Sequence, residues 1–394
     1  MSTKPQRNIS GSTKPLPTTL TWSETLRKRV RTGSWQDQAV STTRKIHEAI
    51  DAGEWELAAQ LIDYWMEEAK VVYVIYQVWD EGFVSFLQSK SVPDAEIDAE
   101  VARLRTLLAF PDGAPFETTA RWEALGKAAG LLANRLRCYE TSAEHAKAAM
   151  DELREGWRQL HDRGADFQAG MLTFIARRFG EATIEEAFAS VLEPYLQERY
   201  KPFDVRERPY DETLERNLYL SVEAMRGHLV GPGRNGDMEV DEYDDRFVIS
   251  FDPCGSGGRQ QRGDVVEGTP SRAEPPYDFG VTRDEHDWAW NEQGVCYYCS
   301  HCCFALEYWP AKHWGHPLRV VDSPLYPHET SGPNPKKCTW TIYKSLEAIP
   351  EEAYRRIGLE KPKPDVTPGG ASSTSSGANA ASATKAATDV SPGS

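Results

Sequence analysis

The sequence predicts an α+β protein: an N-terminal irregular all-α helical bundle followed by a small Cys-rich α+β metal-binding module. Three observations carry that expectation. Apolar residues recur at helical spacing from about residue 22 to 230. Short β candidates replace them from about residue 247. Six of the seven cysteines fall between 254 and 338. The expected organisation is a disordered tail over 1–20, a helical domain over 21–232, the Cys/His-rich module over 233–360, and a second disordered tail over 361–394.

The helical stripes can be followed in order. Leu57, Leu61, Trp65, Val72 and Tyr76 line one long helix, and Ile97, Val101, Leu104 and Leu108 a second. Ala146, Met150, Leu153, Trp157 and Leu160 step by four, three, four and three, after a capping-box pattern at Thr141 and Glu144. Met171, Ile175 and Phe179 give a further face that ends at Gly180, and Ile184, Phe188, Leu192 and Leu196 continue it. Leu214, Leu218, Val222, Met225 and Leu229 close the series, with Pro209 and Asp211 as start signals. Around Gly53 the chain reads as a helix–turn–helix elbow. No fixed repeat period makes the whole a solenoid.

The helices stop in the glycine-rich stretch 231–236. An acidic run over 237–245 reads as a solvated linker. Strand candidates follow at 247–251, 295–298, 318–321 and 339–343, with a short helix around 350–358. Trp288, Trp290, Trp309, Trp314 and Trp340 are available to cover this module. From 361 the composition turns to Ala, Ser, Thr, Gly and Pro, too poor in apolar residues to order.

Composition narrows the function. A net charge of −15 opposes binding to a phosphate backbone, so no nucleic-acid partner is expected. The strongest apolar run, 71–76, is too short to cross a bilayer, so no membrane partner is expected. An N-terminus without an apolar core region and an odd number of cysteines suit a reducing, cytoplasmic setting.

The chemistry concentrates in Cys296-Tyr-Tyr-Cys299-Ser-His301-Cys302-Cys303. Cys296 and Cys299 have the spacing of a chelating knuckle, and His301 and Cys302 lie directly beyond. Cys254 and Cys338 can arrive from other strands. Zinc accepts any such mixture of thiolate and imidazole. The expected ligand pool is therefore Cys254, Cys296, Cys299 and Cys302, with His301 as a substitute. Cys296, Cys299 and Cys302 also match three corners of an iron–sulfur cluster, although no Cys-Pro closes the run. Cysteines can equally serve as small core residues, and Cys138 is assigned to the core.

The loop Pro253-Cys254-Gly-Ser-Gly-Gly-Arg259 follows a strand candidate. Its glycines expose backbone N–H groups, and Arg259 adds a fork that fits a carboxylate. Cys254 is then a ligand or nucleophile, and Arg259 a holder of an acidic substrate. A plain turn that places a ligand is the competing reading. His286, flanked by Asp284, Glu285 and Asp287, is the candidate proton carrier, against a solvated charged loop. His47, His145, His161 and His228 are read as structural or surface residues.

From Cys302 onward, the segments Cys302-Cys-Phe-Ala-Leu-Glu, Gly315-His-Pro-Leu-Arg-Val-Val and Lys337-Cys338-Thr-Trp-Thr-Ile-Tyr343 resemble vinyl-reductase-type ligand-binding domains and L-2-amino-thiazoline-4-carboxylic acid hydrolase-like proteins. The resemblance covers about forty residues. The doubled Cys302-Cys303, the glycine loop and the long helical region depart from it. It implies a small-molecule pocket with cysteine and metal chemistry, or hydrolysis of a carbon–nitrogen or carbon–sulfur bond. The resulting expectation is a zinc-dependent hydrolase or lyase acting on a small acidic or aromatic molecule. The alternatives are a non-catalytic binding or sensor protein with a structural zinc, and an iron–sulfur redox protein. Without any metal, the remaining reading is a reactive thiol at Cys254.

Overall fold

The computed structural model describes residues 18–363. The two tails expected to be disordered lie outside that range, apart from 18–20 and 361–363. The architecture is mixed α and β. It opens on a feature the helical pattern did not announce, an antiparallel hairpin of β1 (Leu20–Ser23) and β2 (Lys28–Arg31). Short helix α1 (Trp35–Ala39) starts at Ser34, which forms a capping box with Asp37. Helix α2 (Thr42–Asp51) and the 35-residue α3 (Trp55–Ser89) meet at the expected elbow, where Gly53 has φ +74°. That left-handed turn favours a residue without Cβ.

Helices α4 (Asp94–Leu107) and α5 (Thr119–Arg137) follow. Cys138 caps the end of α5 and is exposed, which corrects its assignment to the core. The buried stripe of α5 runs through Leu132, Ala133 and Leu136, and Cys138 falls beyond it. Helix α6 (Ala143–Phe179) is a single 37-residue element where the pattern indicated two. Its cap is Ser142, which accepts from the His145 N–H, rather than Thr141. Helices α7 (Thr183–Tyr200) and α8 (Tyr210–Gly227) complete the helical series.

The acidic run is not all linker. Within it, β3 (Glu239–Glu242) pairs with β4 (Arg246–Phe251), and Val240 supplies the buried side chain. Helix α9 (Gly257–Arg262) follows the glycine loop. The segment 295–298, read as a strand, instead leads into helix α10 (Tyr297–Cys303). Cys296 is the reason: its sulfur accepts from the Cys299 N–H at 3.1 Å and caps the helix. A π-helical stretch, Phe304–Tyr308, joins α10 to α11 (Trp309–Trp314). Strands β5 (Val320–Asp322) and β6 (Cys338–Tyr343) and helix α12 (Glu351–Arg355) end the series.

The second sheet is antiparallel, in the order β3-β4-β6-β5. Its register places the site. Phe251 pairs with Cys338, Ile249 with Trp340 and Phe247 with Ile342, so these side chains share the buried face. Cys338 therefore lies beside the point where the chain leaves β4 towards Cys254. The described residues up to Lys361 form one compact unit, and the helices and the cysteine-bearing elements share one continuous apolar core. No helix among the described residues is long and apolar enough to cross a membrane.

Candidate functional site

Four thiols from three separate segments line one small cavity. Cys254 comes from the loop after β4, Cys299 and Cys302 from successive turns of α10, and Cys338 from the start of β6. His301, Tyr298, Ser256 and Trp340 complete much of the wall. The volume is about 20 Å³, room for one water-sized occupant. All the cysteines are reduced.

Helical geometry explains the pairing of Cys299 with Cys302, because residues three apart share a face. Gly257 makes room for it. A Cβ on Gly257 would lie 2.2 Å from Cys299 Sγ. Gln261 Nε2 donates to the same sulfur at 3.2 Å. The hydrogen bond with Cys296, then burial, raises the Cys299 thiol well above its ordinary pKa. Burial and the neighbouring thiols push Cys302 and Cys338 up as well. These groups resist becoming anions together unless a cation joins them.

His301 is held by the Tyr298 carbonyl at Nδ1, and its Nε2 faces Cys302 Sγ at 3.5 Å. Burial drops its pKa to about 4, so the imidazole is neutral at physiological pH.

Behind this wall runs a chain of polar side chains. Cys254 Sγ lies 3.5 Å from Ser256 Oγ, and both residues share the cavity wall with Tyr298. The Tyr298 and Tyr76 hydroxyls are 2.9 Å apart, and the Tyr76 hydroxyl lies 3.2 Å from His161 Nε2. His228 Nδ1 joins at 2.9 Å from the same nitrogen. His161 Nδ1 meets the Asp162 carboxylate at 2.8 Å, which makes Nδ1 the protonated nitrogen and Nε2 the acceptor. Burial opposes ionisation of Asp162, but Arg234, Arg259 and His161 together hold it well below the usual carboxylate range.

The sequence-predicted residues divide accordingly. Cys254, Cys299, His301 and Cys302 meet at the cavity, and Cys338 joins them. Cys296 stands behind Cys299 as the helix cap, outside the cavity lining, and faces Gln260. The knuckle reading of Cys296 and Cys299 thus places only Cys299 on the cavity. Arg259 does not face the cavity. Its guanidinium is buried against Asp166 and the Asp162 carbonyl, so it anchors the acidic end of the polar chain rather than an open substrate site. His286 is also elsewhere: Nε2 meets Glu181 at 2.9 Å and the ring stacks on Trp288. Glu181, Asp284 and His286 are the one trio of candidate ligands among the described residues whose donor atoms all lie within 4.8 Å of one another. The four cavity sulfurs are spread more widely than that.

Sequence reasoning missed Tyr76, His161, Asp162 and His228. The signal available was a histidine–aspartate pair next to the apolar stripe that ends at Leu160, but a histidine there reads equally well as a structural or surface residue. No protein family, curated protein or solved structure matches the chain.

Proposed function

We propose that the protein is a metal-dependent enzyme, a hydrolase or lyase for a small molecule, with a zinc-class ion held by Cys254, Cys299, Cys302 and Cys338 and with His301 beside it. The observation that carries this reading is that four thiols from three segments, two buried and two half-buried, line one cavity with room for a single ion. Thiolates are the preferred soft ligands for zinc, and a bound cation reverses the penalty that burial and mutual repulsion place on them. The sulfurs would have to move closer together to reach the roughly 2.3 Å that zinc–thiolate bonds require. To act as a Lewis acid on a substrate oxygen, the ion would have to keep three of these thiols and leave the fourth position open, because four thiolates would saturate it.

The polar chain favours a catalytic role over a structural one. A purely structural four-sulfur site needs no partner for protons. Here Tyr298, in the cavity wall beside Cys254 and Ser256, has a hydrogen-bonded route through Tyr76 to His161 Nε2, with Asp162 across the ring to stabilise the imidazolium. The resemblance of the last third to hydrolase-like proteins points to carbon–nitrogen or carbon–sulfur bonds as targets.

The small cavity, with room for one water-sized occupant, supports a second reading, a binding or sensor protein in which the zinc is structural. An iron–sulfur cluster fits less well, because Cys296 is outside the cavity and a cubane is larger than the space.

Elemental analysis of purified protein tests the proposal. The expected result is about one zinc per chain, lost when Cys254, Cys299, Cys302 or Cys338 is changed to serine and kept in Cys138→Ser. Metal-free wild-type protein would overturn it, and iron with visible absorbance would replace it with the redox reading. A zinc-loaded protein that turns over no member of a panel of small carboxylated amides, thioethers and thiazolines would shift the assignment to the structural-zinc reading.

A further inference from the structure

A second cavity, of about 450 Å³, lies between the middle of α3, the end of α4, the loop 116–119 and α6. Its volume falls in the range of small-molecule sites. Asp80 stands in its wall, with Glu81 and Glu117 at the exposed margin. None of the three carboxylates forms an ion pair within 4.0 Å among the described residues. Arg105, also at the margin, is the one cationic residue of the lining, and it has no ion-pair partner either. The Asp80 carboxyl has a single long contact, from Gln168 Nε2 at 3.5 Å. Behind it, the Gln168 carbonyl oxygen is buried with no hydrogen-bond partner. The apolar side of the cavity is made by Val84, Val101 and the tilted pair Phe116 and Phe167, whose rings are 5.9 Å apart.

A half-buried carboxyl without a cation is a costly arrangement for a protein to keep. Burial pushes the Asp80 carboxyl well above its ordinary range, against the opposing pull of Gln168 and Arg105. Three carboxylates against one arginine make the lining net negative, and aromatic faces add attraction for a cation. The apolar wall calls for an uncharged body attached to that cation.

We propose that this cavity binds a small protonated amine with an apolar or aromatic body, its ammonium group on Asp80 and its body against Phe116 and Phe167. The site is separate from the thiol cavity and does not depend on any metal there.

Calorimetric titration of the full chain with three probes of similar shape tests it: phenethylamine, phenylalanine and 3-phenylpropionate. Phenethylamine is expected to bind and raise the melting temperature, phenylalanine to bind more weakly, and 3-phenylpropionate not at all. Asp80→Asn keeps the shape and should weaken phenethylamine at least about tenfold, the scale of a lost charge-assisted hydrogen bond. Val101→Phe should block the space while leaving Asp80 in place, and its unliganded melting curve reports whether the fold survives. The proposal is overturned if no probe binds, if either carboxylate-bearing probe matches phenethylamine, or if Asp80→Asn leaves the affinity unchanged.

Discussion

Gly257 is the residue on which the thiol cavity most directly depends. Its hydrogen faces Cys299 Sγ so closely that an added methyl carbon would stand 2.2 Å from the sulfur, far inside van der Waals contact. Cys299 cannot retreat freely, because Gln261 donates to its sulfur and Cys296 fixes the first turn of its helix. Gly257→Ala should therefore destabilise the fold by about 1–3 kcal/mol, the usual scale of overpacking. On the zinc proposal, it should also lower metal content without removing any thiol. Urea unfolding together with elemental analysis would check both. Unchanged stability would mean that the sulfur has more freedom than this packing allows. At the same scale, the cysteines were readable as a set and not as individual roles. Cys296 and Cys299 looked equivalent by spacing, and only the helical turn between them made one a cap and the other a wall residue.

Two long helices hold the polar chain in place, and they cross where one of them lacks a side chain. At Gly164 of α6, a Cβ would lie 2.6 Å from the Tyr76 ring on α3. Tyr76 connects His161 to Tyr298, so that close approach sets the spacing of both links. Gly164→Ala is expected to push the ring aside and cost about 1–3 kcal/mol even though alanine favours helix. A second expectation is specific to the chain: Tyr76→Phe, which leaves the ring packed, should disconnect His161 from Tyr298 with a smaller loss of about 0.5–1.5 kcal/mol. Imidazole nitrogen NMR would show His161 keeping its Nδ1 proton on Asp162 in Tyr76→Phe. A switch to the other tautomer would refute the assigned order of donors. These helices also mark where sequence reading worked and where it failed. Their apolar stripes were plain from Leu57 to Tyr76 and from Ala146 to Leu160. The middle of α6 was not, because a helix surrounded by other elements buries Arg158, His161, Asp162 and Asp166 by pairing them with Glu267, Tyr76, Arg234 and Arg272, residues distant in sequence. Periodicity reports apolar faces and says nothing about a buried ionic one.

Across the whole molecule, the buried histidines give stability a predictable dependence on pH. His161, His228 and His316 are all held below the ordinary histidine pKa, in each case mainly by burial. In the unfolded chain each takes up a proton near pH 6.5. Between that pH and the lower folded values, the unfolded state binds more protons, so stability falls as pH falls. The contribution is complete above about pH 7 and fades with acidification, with a slope of up to about 1.4 kcal/mol per pH unit for each histidine. Asp80 and Glu307 act in the opposite direction, since burial raises both carboxyls and the folded state then holds the extra protons. The total slope alone cannot separate these groups, but a difference between proteins can. Urea unfolding of the parent and of His161→Gln between pH 7.5 and 5, with a chelator present, should give a shallower decline for the variant. Parallel curves would mean that His161 takes up its proton equally in the folded and unfolded states. The buried imidazole would then not be the neutral acceptor that the Asp162 contact assigns to it.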